Sequence, residues 1–559
     1  MKHPSSSSRD DESIQFLVNE NASTEDVLHA IDQEVNEHKA CLIALWKRRN
    51  TFVPISRLPP ELLCKIFDFT TWNQTEGSLH WIKVTHVCHE WRSIALNSPS
   101  LWINLPLQNA RWSAEMLSRS KMASLVVDAN PPSYRDFPLE AVSSALRHIS
   151  RIIHLSLSDA NAGTMQKLLS DLPKSAPRLE TLRSLRAFFA KWIVYTGLKS
   201  LDIHDIPPAS RPTATQLWNA LKRMPHLGAI DLHDALPVAE DCGPPQATIF
   251  LSNLQKLTVT STAPEVQLFF KSISFLPTVI ITVVCKTLSG SGPDFIGVLS
   301  AISATISPTA KSCGILIRGL EVSTPSAGLD GLRFLAYTAS DIEADNGTTT
   351  PILDLSLRCE TSLGRTVHDK LLIDMFSAIS LGGLIDLRLK PEIKFSSRAF
   401  AESFGTLPHL QSVYTAGAGA YCFTMALQEV PLHQDLTKSQ YPGLVFFPGL
   451  RFMSMYDIDF DEDDGDITID ALQDCLIWRY ECGVEVWKLN IKQCSRITED
   501  EVNLLREIIA DLEWDDLEFG FTDYEDDEDD DDYDDDPEYD DYDSSEADGE
   551  YIFGSNSFW

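Results

Sequence analysis

Apolar side chains recur along this chain in two rhythms, one helical near the N-terminus and one strand-like through the long middle. From Glu25 onward Leu28, Ile31, Val35, His38, Leu42 and Leu45 fall in steps of three and four, which predicts one helix over residues 25–50. Lys47, Arg48 and Arg49 close it with the charge a helix C-terminus favours. The stripe is shorter than four heptads and has a histidine in its seam. That favours a helix packing on the next domain over an autonomous coiled coil. Residues 1–24 are Ser-rich, charged and poor in apolar groups, the composition of a disordered segment.

Residues 52–107 change the pattern. Pro59 and Pro60 suit a first helical turn, where backbone N–H groups lack intrahelical partners, and Glu61 adds a favourable charge there. Leu62, Leu63, Ile66 and Phe67 follow as an apolar stripe. A polar loop, Asn73–Ser78, separates this helix from a second one expected through Ile82, Val84, Val87, Trp91 and Ala95. A last turn reads SPSLW, ending in Leu101 and Trp102. About fifty residues seldom make a self-sufficient core, so so aromatic a segment is expected to pack against something else.

From Ile152 a third pattern repeats: apolar, two residues, apolar, one residue, apolar. It occurs at Ile152/Leu155/Leu157, Leu198/Leu201/Ile203, Leu227/Ile230/Leu232 and Leu254/Leu257/Val259, and again at Ile352/Leu355/Leu357, Leu384/Leu387/Leu389, Leu450/Met453/Met455 and Val486/Leu489/Ile491. This is the strand core of a leucine-rich repeat. Helix-like stretches such as ATQLWNALKRMPHL and APEVQLFFKSISFLP lie between, each meeting a proline before the next strand. In IKQCSRITEDEVNLLREI, Thr498 and Glu501 have capping-box spacing. The spacing is irregular and the stretch Thr287–Thr350 does not follow it. The fold class expected is therefore α/β: an N-terminal helical domain, then an irregular leucine-rich-repeat-like solenoid over residues 125–510. Alternate strand residues of a solenoid share one open face, here Asp202, His204, Asp231, His233, Arg388, Lys390, Lys488, Asn490 and Lys492. The cations Arg388, Lys390, Lys488 and Lys492 are the candidate substrate-binding residues.

Charge sharpens the picture at the C-terminus. Of 559 residues 81 are acidic and 46 basic, a net charge of −35. Residues 511–559 hold 24 of the acidic residues and no Lys or Arg, leaving 57 against 46, or −11, for the first 510. So concentrated a polyanion reads as a disordered acidic tail. It is expected to solubilise, to attract basic partners, or to fold back on Arg388, Lys390, Lys488 and Lys492. The overall field opposes nucleic-acid binding. The N-terminus lacks the apolar core of a secretory signal. FLPTVIITVVC (Phe275–Cys285) is too short to span a bilayer, so no membrane partner is expected. Eleven cysteines without CxxC pairs fit reduced thiols in the cytoplasm or nucleus.

The ordered run Leu58-Pro59-x-Glu61-Leu62-Leu63-x-x-Ile66-Phe67, then Val87-Cys88-x-x-Trp91-Arg92, then Leu101-Trp102, resembles the F-box. With its leading helix, and in the phrases RLPPELLCKIF and THVCHEWRSIAL, it is similar to the expanded F-box family of mushroom-forming (basidiomycete) fungi. The loop between the helices is longer than in the commonest F-boxes. The resemblance covers about a tenth of the chain. It implies docking onto the Skp-family adaptor of a cullin–RING (SCF) ubiquitin ligase, with Leu58, Pro59, Leu62, Ile66, Trp91, Leu101 and Trp102 as adaptor contacts or their immediate support. The role implied is a substrate-recognition subunit; the alternative is a non-catalytic scaffold working outside ubiquitination.

No constellation carries chemistry of its own. His86, Cys88 and His89 lack a second pair at zinc spacing and do not share one helix face. In DIDFDEDDGDITID, Asp459, Asp461, Asp463 and Asp470 have calcium-loop offsets, but Gly465 is one position late and the last ligand is Asp instead of Glu. SGSG at 289–292 lacks the endings of a phosphate loop or a nucleophile elbow. No catalytic residue, cofactor or metal is expected.

Overall fold

The computed structural model describes residues 23–72, 79–129, 136–158, 168, 178–185, 196–238, 248–287, 295–306, 316–325, 330–338, 350–359, 365–393, 395–429, 445–460 and 467–516. The chain divides into two units, the first ending at Leu125 and the second beginning at Val126.

The first unit is helical. Helix α1 (Thr24–Asn50) starts at a capping box, in which the Ser23 hydroxyl accepts from the Asp26 N–H and the Asp26 carboxylate accepts from the Ser23 N–H. None of its residues is buried. Leu28, Ile31, Val35, Leu42 and Leu45, expected to pack on the following domain, are 41–57% exposed. Asp32, Glu34, Glu37 and Lys39 narrow the stripe until no wide apolar face remains. After it come α2 (Pro60–Trp72), a 3₁₀ turn His80–His86, α3 (His89–Leu96), a 3₁₀ turn Pro99–Trp102 and α4 (Ala110–Arg119). The single second helix expected through Ile82–Ala95 is broken at Cys88. Its backbone is extended (φ −157°, ψ 167°) and its Sγ accepts from the Trp91 N–H at 3.5 Å, restarting the helix as an N-cap. Leu63, Phe67, Trp81, Ala95, Leu101 and Trp102 form the core. The loop Asn73–Ser78 lies outside the described residues.

The strands are β1 (Leu125–Ala129), β2 (Ile152–Ser158), β3 (Thr181–Leu185), β4 (Ser200–His204), β5 (Ala229–His233), β6 (Ile249–Leu251), β7 (Lys256–Thr262), β8 (Ile273–Phe275) and β9 (Ile280–Lys286), all but Leu125 in the second unit. It continues through β10 (Gly319–Ser323), β11 (Asp330–Tyr337), β12 (Leu353–Cys359), β13 (Asp386–Leu389), β14 (Ser412–Ala416), β15 (Phe452–Tyr456), β16 (Lys488–Lys492) and β17 (Asp511–Trp514). Fifteen of these strands form one sheet in the order β1-β2-β3-β4-β5-β7-β9-β12-β11-β10-β13-β14-β15-β16-β17, and β6 pairs with β8 separately.

The last two positions of every apolar triplet picked out by spacing fall on a strand, and the first stands one or two residues before it except at Ile152, which opens β2. The last two positions of each are no more than 2% exposed. Parallel neighbours need a crossover, and helices such as Ala214–Lys222 and Glu499–Ile508 supply it, opened by the capping boxes Thr213/Gln216 and Thr498/Glu501. β3 and β14 escaped the pattern because their third position is polar, Ser184 and Thr415. β17 extends the sheet four residues into the segment that composition alone assigns to the acidic tail.

The stretch that does not follow the repeat has a structural cause. β11 runs antiparallel to both neighbours, β10 and β12, while β9 pairs parallel with β12 and β10 parallel with β13. A meander strand alternates differently from a repeat strand followed by a helix, so the triplet spacing lapses. Gly331 permits the close approach of β11 to β12. Its φ is +135°, and a Cβ there would lie 1.9 Å from the Leu357 carbonyl oxygen.

Candidate functional site

Two surfaces carry the residues singled out by sequence, one on each unit. On the first unit, α2 buries Leu63 and Phe67 completely, and Trp91 packs against Phe67 with the rings tilted by 53° and their centroids 5.0 Å apart. The other side of α2 is apolar and unburied: Leu62 is 45%, Ile66 38% and Phe69 68% exposed. These three are four and three residues apart, hence one stripe. Leu58 is half-buried and Pro59 exposed at its N-terminal end. Phe52, Val53, Ile55 and Val87 are further exposed apolar residues of this unit. A unit that leaves so many large apolar groups in water presents a docking surface.

Leu101 and Trp102 are placed differently. They are buried, and Trp102 donates its indole N–H to the Ala95 carbonyl at 2.8 Å while the Arg119 guanidinium lies 4.4 Å above its ring. They belong to the core of this unit, and Trp91 is half-buried against Phe67. Phe69 is the residue the motif did not name, although it continues the Leu62–Ile66 spacing.

On the second unit, register explains which side chains share the open face. Arg388 is level with Tyr414, Tyr414 with Ser454, and Ser454 with Asn490. Two residues further on, Ala416 is level with Tyr456 and Tyr456 with Lys492. These two rows line a cavity of about 560 Å³, together with Lys390. Arg388 sits over the Tyr414 ring, 5.4 Å from its centroid, and Lys390 approaches Glu321 at 3.8 Å. Lys488, grouped with these cations by sequence, does not line the cavity. It is paired with Glu513 and with Asp511 at 3.4 Å, and the Gln493 N–H donates to Asp515 at 2.6 Å. Tyr414 and Tyr456 were missed by sequence, because only strand pairing brings them level with the cations.

Farther along the same sheet the sequences Asp202-Ile203-His204-Asp205 and Asp231-Leu232-His233-Asp234 lie in register on β4 and β5 and just beyond them. His204 Nε2 is 2.6 Å from Asp202 and 3.6 Å from Asp231, and His233 is 3.8 Å from Asp205 and 3.5 Å from Asp234. Each trio brings three potential metal-ligand atoms within 4.8 Å. Hydrogen bonding to Asp202 and Asp231 pushes the His204 pKa up to about 10, and Lys286 Nζ reaches Asp234 at 2.7 Å. His204 and Lys286 thus supply cations to these carboxylates, and the arrangement is an ion-pair ladder.

Among the described residues the remaining candidates are placed as follows. His86 and His89 are exposed while Cys88 caps α3. Asp459 bonds the Ser495 hydroxyl and faces Arg496, Asp470 opens the helix Ile469–Glu481, and Asp461 and Asp463 lie outside the described residues, as does 289–292.

Residues 55–108 match a family model described as F-box-like, so the chain carries an F-box-like domain. No curated protein is matched by the sequence. Among solved structures the chain is similar to one in "Crystal structure of TLR13-ssRNA13 complex", at 11% identity and a TM-score of 0.25, over 70% of this chain and 45% of that chain. The second unit is a mixed α/β region on the evidence of its own strands and helices. Among the described residues no helix is long and apolar enough to cross a membrane.

Proposed function

We propose that the protein is the substrate-recognition subunit of an SCF-type cullin–RING ubiquitin ligase. The observation that carries this reading is the exposed Leu62–Ile66–Phe69 stripe within a segment that matches the F-box-like family. In it, the Skp-family adaptor covers that stripe together with Leu58 and Pro59, and Trp91, Leu101 and Trp102 hold the helices in place. A protein target sits on the open face of the repeat sheet. The chain itself is non-catalytic: it raises the effective concentration of a target lysine near activated ubiquitin, which needs no acid, base or nucleophile here. The kinship with the expanded basidiomycete F-box family and a cytoplasmic or nuclear location belong to the same reading.

Co-purification of the full chain with a Skp-family adaptor tests it. The double change Leu58→Ala, Pro59→Ala is expected to abolish adaptor recovery, and unchanged recovery would remove the central claim. Ubiquitination of a co-purified protein that depends on Leu58 and Pro59 separates this reading from a scaffold working outside ubiquitination.

A further inference from the structure

Helix α1 (Thr24–Asn50) is the longest helix among the described residues, and none of its residues is buried. Leu28, Ile31, Val35, His38, Leu42 and Leu45 alternate at steps of three and four, which is three heptads of one seam. The five apolar members are each at least 41% exposed, and His38 is exposed between them. A seam this narrow suits a second helix, where a broad domain face would need a wider stripe.

Two patterns in the helix show what that second helix is. The seam reads the same from either end: Leu28 and Leu45, Ile31 and Leu42, and Val35 and His38 stand at equal distances from a midpoint between Asn36 and Glu37. Charge changes sign one residue from that point. Residues 24–37 hold five Asp or Glu and no Lys or Arg, whereas residues 38–50 hold four Lys or Arg and no Asp or Glu.

We propose that α1 pairs antiparallel with α1 of a second copy of this chain, making the protein a homodimer. Turned end for end about the shared midpoint, Leu28 meets the partner's Leu45, Ile31 the partner's Leu42 and Val35 the partner's His38. Each layer occurs twice about the two-fold axis, so the face is self-complementary and the contact closes at two chains. The acidic half of each helix lies along the basic half of the other, and the two helix dipoles run in opposite directions. A parallel pair would set acids on acids, bases on bases and His38 on His38. The chain's own acidic run cannot supply this match: residues 511–559 contain no Lys or Arg and complement only the basic half. Six seam residues a side make an interface on the order of 1,000 Å² in all, so the dimer is expected to be reversible. The pairing goes beyond the ligase reading and does not rest on it.

Sedimentation equilibrium of the full-length chain, from about 1 to about 100 μM in roughly 0.15 M salt, tests this; charges more than about 8 Å apart are screened there. The mean mass is expected to climb toward twice that of one chain. Ile31→Asp with Leu42→Asp puts charges into one layer and is expected to keep the chain monomeric throughout. Ala40→Gln, on the opposite side of α1, leaves the curve unchanged. Should the Asp variant lose helix by circular dichroism, Ile31→Ala with Leu42→Ala preserves helix propensity and should weaken the dimer at least tenfold. Disulfide trapping in a Cys41→Ser background reads the direction. A Leu28→Cys chain mixed with a Leu45→Cys chain should form the mixed disulfide at least tenfold faster than either forms a disulfide with itself. A chain that stays monomeric at the top concentration, a dimer indifferent to the seam variants, or faster trapping of Leu28→Cys with itself overturns the inference. So does dimerisation that appears only after residues 517–559 are deleted, which would give the seam to the chain's own acidic run.

Discussion

Trp102 meets Trp81 edge to face, ring centroids 4.9 Å apart and planes at 67°. Both rings are buried, and Trp102 is also fixed by its hydrogen bond to Ala95. The pair ties the 3₁₀ turn before α3 to the one after it, so the SPSLW turn belongs to the core. Leu62, Ile66 and Phe69 belong to the surface. The two sets respond differently to mutation.

Trp102→Ala should destabilise the first unit by about 3–5 kcal/mol, because a fully buried indole leaves a cavity and an unmatched carbonyl. Phe69→Ala should leave thermal unfolding unchanged while weakening the adaptor by about 2 kcal/mol, roughly 30-fold. Circular dichroism melts beside calorimetric titration with the adaptor read both. Equal melting of the two variants would show that Phe69 is core.

The strands were legible because burial on the helix side of a parallel sheet demands two apolar residues per strand, as at Leu201/Ile203 and Met453/Met455. β3 and β14 were hidden by one polar substitution each, Ser184 and Thr415, which strand pairing tolerates and a spacing rule does not. α1 shows the opposite failure. Its period is helical and the helix forms, but periodicity carries no information on whether a partner face exists. At the cavity, Arg388, Lys390 and Lys492 were visible as cations on alternate strand positions. Tyr414, and the separation of Lys488 from its neighbours, follow from register and from β17, which lay beyond the expected boundary of the repeats.

His204 gives the sheet a pH dependence. Its folded-state pKa of about 10 lies above the ordinary 6.5, so the fold holds the proton more tightly than the unfolded chain. That stabilisation is complete below about pH 6.5 and disappears as pH rises through 10. The melting temperature of wild type minus that of His204→Gln should therefore be largest near pH 6 and shrink steadily toward pH 10. A difference that is flat or grows over this range contradicts the ion-pair ladder.

Arg479 is completely buried and donates to the carbonyls of Phe446 (3.2 Å) and Phe447 (2.9 Å), the latter at φ +56°. Burial lowers its pKa to about 10. A lysine has no planar fork to bridge two carbonyls. Arg479→Lys is therefore expected to lower stability by about 2 kcal/mol, measured by urea unfolding. An unchanged midpoint would show that the turn before β15 does not depend on this clamp.

Gly331→Ala would push a methyl group into the Leu357 carbonyl at a backbone angle that L-residues avoid. Both effects act at the β11–β12 pairing. Hydrogen exchange should show loss of protection over 330–337 and 353–359 ahead of β4 or β15. Uniform protection across the sheet would mean that β11 adapts.

The reversed strand β11 has a consequence for how the sheet comes apart. In a parallel array each unit offers the next an identical edge, so order or disorder can pass from one to its neighbour like a zip. At β11 the polarity flips twice, and the helix-backed crossover that couples neighbours elsewhere is replaced by direct antiparallel pairing on both sides. A front of unfolding arriving from β17 meets a different kind of junction there. Pulled from its ends in an optical trap, the protein should therefore yield in two steps, the β13–β17 block releasing separately from the block that holds the Asp–His ladder.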